Sequence, residues 1–199
     1  PTGLSIGTGV RIVSSEKNYS QGNIINTDNS LDVTIEGKGF FQVLMPDGNV
    51  GYSRAGNFSR NSTGQLVTSN GYPVEPAITI PENATTISIS GDGIVSASIP
   101  GQAASQVLGN FELASFPNEN GLKPVGENFA LATGASGAPI VGAPGTNGVG
   151  KLLQGALESS NVNVVEELVS MIETQRAYEV NSKAVSAVDQ MQKFLVQNI

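Results

Sequence analysis

The sequence predicts a mainly β chain with one long C-terminal α-helix, an α+β protein. Three observations carry this. Over residues 31–130, short apolar runs are cut by turn dipeptides such as Asn70-Gly71, Asp92-Gly93 and Asn120-Gly121. Glycine occurs 24 times and charged residues make up only 14% of the chain, a profile of short strands and tight turns. Residues 163–199, by contrast, contain no Gly or Pro, and apolar residues return every three or four positions, the period of a helix.

Residues 1–30 read as an extended segment, with strand character at 10–13. Leu31, Val33 and Ile35 alternate with Asp32, Thr34 and Glu36, the pattern of a half-buried strand. Residues 40–45 form an apolar run that predicts a buried strand. Pro46-Asp47-Gly48-Asn49 is a turn in which Pro presets φ and Gly allows a positive φ, and 49–54 return as the hairpin partner. Further strands are expected at 65–69, 77–80, 86–90, 94–99 and 106–116. Together they predict an antiparallel sandwich or barrel-like β domain over 31–130. Residues 131–160 are rich in Gly, Ala and Pro and read as an extended connection with little core of its own.

Residues 161–199 hold the helix. Asn163 with Glu166 three positions on is a capping-box pair, and Glu166 and Glu167 lie in the first turn, where the helix dipole favours negative charge. Val164, Leu168, Met171, Gln175, Tyr178, Ser182, Val185 and Val188 follow a near-heptad spacing, with Leu195 beyond them. Val165, Ile172, Ala184, Met191 and Phe194 widen the stripe. Glu179–Lys183 and Asp189–Lys193 are acid-before-base pairs four residues apart. Such a helix is about 50 Å long. Full burial of its large apolar side chains is worth roughly 12–24 kcal/mol as an upper bound. Either the face packs on the β part of its own chain, as in a secreted β-rich binding module, or it meets helices of other chains, as in an assembly subunit.

Composition limits the chemistry. The net charge is −7, so no basic face meets phosphates and a nucleic-acid partner is not expected. There is no Cys and no His, which removes disulfides, thiolate chemistry, the commonest general base and the commonest metal ligand. No run of 18 apolar residues is present, so no membrane span is predicted. Gly145-Thr146-Asn147-Gly148-Val149-Gly150-Lys151 resembles a phosphate-binding loop. Leu152 stands where a hydroxyl should hold Mg²⁺, and the residues before it make a poor strand. Ser14-Ser15-Glu16-Lys17 fits Ser-x-x-Lys without the companion elements of that chemistry. Neither a catalytic site nor a cofactor is expected.

Several segments match a known family. Gly155-Ala156-Leu157-Glu158-Ser159-Ser160-Asn161-Val162 and the run from Met171-Ile172-Glu173-Thr174-Gln175-Arg176-Ala177-Tyr178 to Lys183 resemble the C-terminal signature of bacterial flagellar rod and hook proteins. Ser30-Leu31-Asp32-Val33-Thr34-Ile35-Glu36-Gly37-Lys38-Gly39-Phe40-Phe41 is similar to the start of their β domain, and Arg54-Ala55-Gly56-Asn57-Phe58 through Gly64-Gln65-Leu66-Val67-Thr68 is similar to its continuation. Pro1-Thr2-Gly3-Leu4 and Gly7-Thr8-Gly9-Val10 look most like the distal-rod branch. The resemblance implies export through the flagellar type III apparatus without a cleaved signal. It also implies helical stacking with copies of itself into a hollow shaft in the periplasm that carries torque. The implied neighbours are proximal rod proteins, the hook protein and a ring bushing; proximal-rod and hook relatives remain alternatives. Two departures stand out. The family's N-terminal helix is missing, so the chain, opening at Pro1, reads as a fragment, and Asn61 stands where the family usually has Asp.

Overall fold

The computed structural model describes residues 11, 17–101 and 104–197, the side chains of 192 and 195–197 excepted. The strand expected at 10–13 and the Ser14–Glu16 part of the Ser-x-x-Lys match therefore lie outside the described residues. The chain divides into two compact units, Pro1–Ser159 and Ser160–Ile199.

The first unit is built from short strands: β1 Ile24–Asn26, β2 Val33–Glu36, β3 Phe40–Leu44, β4 Val50–Ser53, β5 Phe58–Arg60, β6 Leu66–Thr68, β7 Val74–Glu75 and β8 Thr86–Ile89. They continue as β9 Ile94–Ser98, β10 Gln106–Asn110, β11 Leu113–Ser115, β12 Lys123–Gly126, β13 Phe129–Leu131, β14 Ile140–Gly142, β15 Lys151–Gln154 and β16 Ala156–Glu158. The pairings between them are antiparallel. The largest sheet runs β12-β13-β4-β3-β11-β14 with β7 also on β3. A three-stranded sheet runs β10-β9-β8, and β15-β2, β1-β16 and β5-β6 form ribbons.

The central strand β3 shows how sequence becomes core. Successive side chains of a strand point to opposite faces. Phe41 enters one apolar cluster, where its ring meets Phe58 edge-on at 5.0 Å and Phe111 at 5.7 Å, with Val33, Ile35 and Leu66 around it. Phe40 enters a second cluster with Tyr52, Phe116 and Leu122. A strand buried on both faces calls for a largely apolar run; 40–43 is buried throughout, with Gln42 the polar residue within it. The hairpin from β3 to β4 closes as expected: Met45 N–H donates to the Asn49 carbonyl at 2.9 Å, and Gly48 takes φ 82°.

Four expectations are corrected. β2 is not half-buried, because Asp32 and Thr34 are as enclosed as Val33 and Ile35; β15 pairs along the strand, Leu152 opposite Ile35 and Leu153 opposite Thr34. Thr34 Oγ1 finds no hydrogen-bond partner among the described residues. Residues 77–80 carry no named strand. Ile78 and Ile80 are nonetheless buried, and the segment holds β6 through Leu66 N–H to the Ile78 carbonyl at 2.9 Å. The run 106–116 breaks into β10 and β11, with Phe111 driven into the core between them. The stretch 131–160, expected to be an extended connection with little core of its own, carries β14, β15 and β16 and buries Val149, Leu152 and Ala156.

The second unit is the helix α1, Val164–Gln197, 34 residues. Asn163 caps it: its Oδ1 accepts from the Val165 N–H at 3.2 Å, which satisfies one of the donors left free at a helix start. Glu166 and Glu167 occupy the first turn. No helix among the described residues is long and apolar enough to cross a membrane.

Candidate functional site

Every helix residue whose exposure is described is exposed. Of the predicted interface positions, Val164 is 66% exposed, Leu168 51%, Met171 55%, Tyr178 77%, Val185 63% and Val188 48%. Gln175 and Ser182 are exposed too, and Ser182 offers its carbonyl to Ser186 Oγ at 3.0 Å. Leu195 lies within the helix, and its side chain is outside the described set. At 3.6 residues per turn these positions do not share one narrow face: from Val164 to Val188 the column drifts by about a third of a turn. Met191 and Phe194, with Ala187 and Gln190, line a shallow apolar groove. Asp189–Lys193 and Glu179–Lys183 do not close into ion pairs among the described residues; solvent makes such contacts worth little.

A second feature, absent from the sequence-based expectations, lies at the base of the β unit. Arg54, just after β4, donates through Nε to Glu158 Oε2 at 2.9 Å, with Nη2 at 2.8 Å from the same oxygen. The remaining guanidinium hydrogens reach the carbonyls of Gly37 at 3.1 Å and Gly39 at 3.0 Å. The other Glu158 oxygen accepts from the Gly22 N–H at 2.9 Å. Gln21 bridges the same place, donating to the Ile35 carbonyl at 3.0 Å and accepting from the Gly37 N–H at 3.1 Å. Arg54 and Glu158 are only 18% and 12% exposed.

The glycines here are a steric demand. Gly37 and Gly39 have φ of 115° and 132°, and a Cβ on Gly39 would sit 2.9 Å from Val149 Cγ1. Gly150 N–H donates to the Lys38 carbonyl at 2.7 Å, so the two backbones nearly touch. The segments around Gly37, Arg54 and Glu158 thus form one clasp from three distant parts of the chain. Spacing along the sequence carries no signal for it; an Arg and a Glu separated by about a hundred residues pair only once the ribbons close.

The other chemical candidates dissolve. Gly145–Gly150 is a closed turn, with Gly145 N–H donating to the Gly150 carbonyl at 2.9 Å, and Lys151 opens strand β15 where a phosphate cradle requires a helix. Among the described residues no group of three metal-ligating side chains forms. Asn61 Oδ1 accepts from Thr63 N–H at 3.0 Å, Thr63 Oγ1 at 2.7 Å and Gln65 N–H at 2.8 Å. It thus fills the acceptor role that an Asp would have in that loop. Asp47, held by hydrogen bonds from Asn49, has its carboxyl below the usual range. Burial raises the phenols of Tyr52 and Tyr19, the latter helped by the charge of Glu119.

A β unit followed by a long helix whose apolar residues stand open to solvent has the build of a subunit made to be surrounded by other subunits. Comparison with known proteins places that build. Residues 34–97 match the flagellar hook protein FlgE/F/G D1 domain, and residues 153–198 match the flagellar basal body rod FlgEFG protein C-terminal domain. The chain is 53% identical over 197 residues to the flagellar basal-body rod protein FlgG of Buchnera aphidicola (subsp. Acyrthosiphon pisum), covering 99% of this chain and 76% of that one. It is 49% identical over 191 residues to FlgG of Caulobacter vibrioides, covering 96% and 73%. Against the flagellar hook protein FlgE of Salmonella typhimurium it is 40% identical over 116 residues, covering 58% of this chain and 28% of that protein. The chain belongs to the FlgG family of flagellar basal-body rod proteins.

Proposed function

We infer that the chain is a structural subunit of the flagellar basal-body rod, in its distal segment, with no catalytic role. Copies stack helically into a hollow shaft that carries torque from motor to hook. The helix forms the inner assembly layer, and the β unit forms an outer domain. Proximal rod proteins and the hook protein are its axial neighbours, and a ring bushing surrounds it in the periplasm. Export proceeds through the flagellar type III apparatus without a cleaved signal.

The single observation that supports this reading is the helix: 34 residues with Leu168, Met171, Ile172 and Val188 each about half exposed. Apolar surface of that extent is stable only when neighbours cover it. Close-packed helices also supply the stiffness that torque demands, because protein interiors are dense and hard to compress. The limited overlap with the hook protein, against nearly full overlap with rod proteins, favours the rod.

Leu168→Asp tests it. A carboxylate in the packed layer should abolish rod assembly and swimming, while the purified variant keeps the β-sheet circular dichroism and urea midpoint of the parent. Normal rods in cells carrying only the variant would refute the assembly role of this face.

A further inference from the structure

Five places in the sequence put Asn or Asp directly before Gly: Asp47-Gly48, Asn70-Gly71, Asp92-Gly93, Asn120-Gly121 and Asn147-Gly148. Such pairs form turns. They are also where the backbone most easily attacks its own side chain, because Gly has no Cβ to shield its nitrogen. In four of the five that nitrogen is engaged. Gly48 N–H donates to the Met45 carbonyl at 3.0 Å, Gly71 N–H to that of Thr68 at 2.9 Å, Gly93 N–H to that of Ser90 at 2.9 Å and Gly121 N–H to that of Asn118 at 3.2 Å. The fifth turn is built differently. Asn147 and Gly148 both take a positive φ, 51° and 77°, and Val149 N–H closes the turn on the Thr146 carbonyl at 2.9 Å. Gly148 N–H has no acceptor among the described residues.

The surroundings divide the same way. Asn70 is held at both ends of its amide, Nδ2 donating to Glu127 Oε2 and Oδ1 accepting from Ser69 Oγ at 3.1 Å. Gly121 is packed so closely that a Cβ there would lie 2.5 Å from the Ser136 nitrogen, which leaves its backbone no room to swing. Asn147 and Gly148 are both exposed, and a Cβ on Gly148 would meet nothing within 4 Å. The residues that follow are anchored. Val149 is buried, its Cγ1 2.9 Å from where a Cβ on Gly39 would stand, and Gly150 donates to the Lys38 carbonyl at 2.7 Å. The turn thus joins an open tip to the glycines of the Arg54–Glu158 clasp.

We propose that Asn147 is a site of spontaneous backbone modification, and that its conversion loosens the hold of Val149 and Gly150 on the clasp. The site is independent of the rod reading above. The Gly148 nitrogen loses its proton and attacks Asn147 Cγ. The new C–N bond closes a cyclic imide, and the side-chain NH2 takes up a proton and leaves as ammonia. Water then opens the ring. Breaking the bond from the Gly148 nitrogen to Cγ gives Asp. Breaking its bond to the former backbone carbonyl gives isoaspartate, in which the chain runs through the old side chain and is one methylene longer. Water is the only co-reactant. At the other four pairs a hydrogen bond of about 1 kcal/mol must first break to free the nitrogen, which slows the reaction several-fold. Either product adds a negative charge to a chain already at −7. The lengthened isoaspartyl backbone no longer fits the turn from Thr146 to Val149, so Val149 is pulled from its place beside Gly39.

The purified chain is incubated at mildly alkaline pH, folded and in urea. Isoaspartate is counted with an isoaspartyl methyltransferase and a labelled methyl donor, and placed by peptide mapping with fragmentation that separates isoaspartate from Asp. In the folded chain Asn147 should convert several-fold faster than Asn70 or Asn120. In urea the three rates should converge, because all three are Asn-Gly pairs and only the fold tells them apart. Asn147→Ser should lose the fast site and keep its own starting urea midpoint through the incubation, while the midpoint of the parent falls. A folded chain that converts first at Asn70 or Asn120, or not at Asn147, would overturn the assignment. So would an equal preference for Asn147 in urea. Conversion at Asn147 with an unchanged midpoint would overturn the link to the clasp.

Discussion

Arg54 holds more of the β unit together than any other charged residue described. Its guanidinium serves Glu158 and the carbonyls of Gly37 and Gly39 at once, a use of the planar fork that a lysine ammonium cannot reproduce. Removing it leaves Glu158 mostly enclosed without its counter-charge, and the carbonyls lose their donors. Arg54→Ala should therefore destabilise the β unit by about 2–4 kcal/mol in urea titrations followed by circular dichroism. Arg54→Lys should recover less than half of that loss; full recovery would show that charge alone matters. The tyrosines make a different test. Tyr52 stacks edge-on against Phe116 at 4.8 Å, and Tyr19 against Phe40 at 5.6 Å. Burial raises both phenols, so the folded state holds their protons more tightly than the unfolded state does. For a raised pKa, stability is fully present below the unfolded value and is lost as pH rises through the folded one. The β unit should weaken above about pH 10. Phenylalanine at both positions should flatten that alkaline loss, with phenolate absorbance and thermal melts as the readouts; an unchanged alkaline limb would place its cause elsewhere.

At the scale of elements, the helix and the strands depend on different things. A helix whose described side chains are all exposed rests largely on its own cap and propensity, and fraying is cheap. Arg176, Lys183 and Lys193 are all exposed along it. Brief trypsin treatment of the monomer should cut at these residues first and leave a resistant β fragment, with the same sites protected in assembled rods. Early cleavage inside the β unit instead would contradict the stability order. The helix was legible in the sequence because its signal is local: Asn163, the acidic first turn and the absence of Gly and Pro all lie within the element. The β3–β4 hairpin was legible for the same reason. The strands β14, β15 and β16 were not, since each is three or four residues long and set among Gly and Pro. β15 exists because Leu152 finds Ile35, and β16 because Leu157 finds Ile25, both across more than a hundred residues. No window along the chain contains that information.

At the scale of the whole chain, the division of labour follows from where the core ends. Buried apolar side chains run from Val33 to Ala156, and the described residues after Ser160 contribute none. The last strand, β16, carries Glu158 into the clasp with Arg54, so the β unit is sealed just before the helix begins. A chain cut after Ser159 should then keep every interaction that stabilises the sheets. Its urea midpoint and slope should match those of the full chain, because the slope follows the surface exposed in cooperative unfolding and the exposed helix adds little to it. A lower midpoint in the truncated chain would mean that the helix contributes to the β core, and its apolar residues would then have a partner at home. An equal midpoint, combined with loss of rod formation, separates the two duties: the sheets fold for themselves, and the helix is kept apolar on its surface for the sake of neighbours.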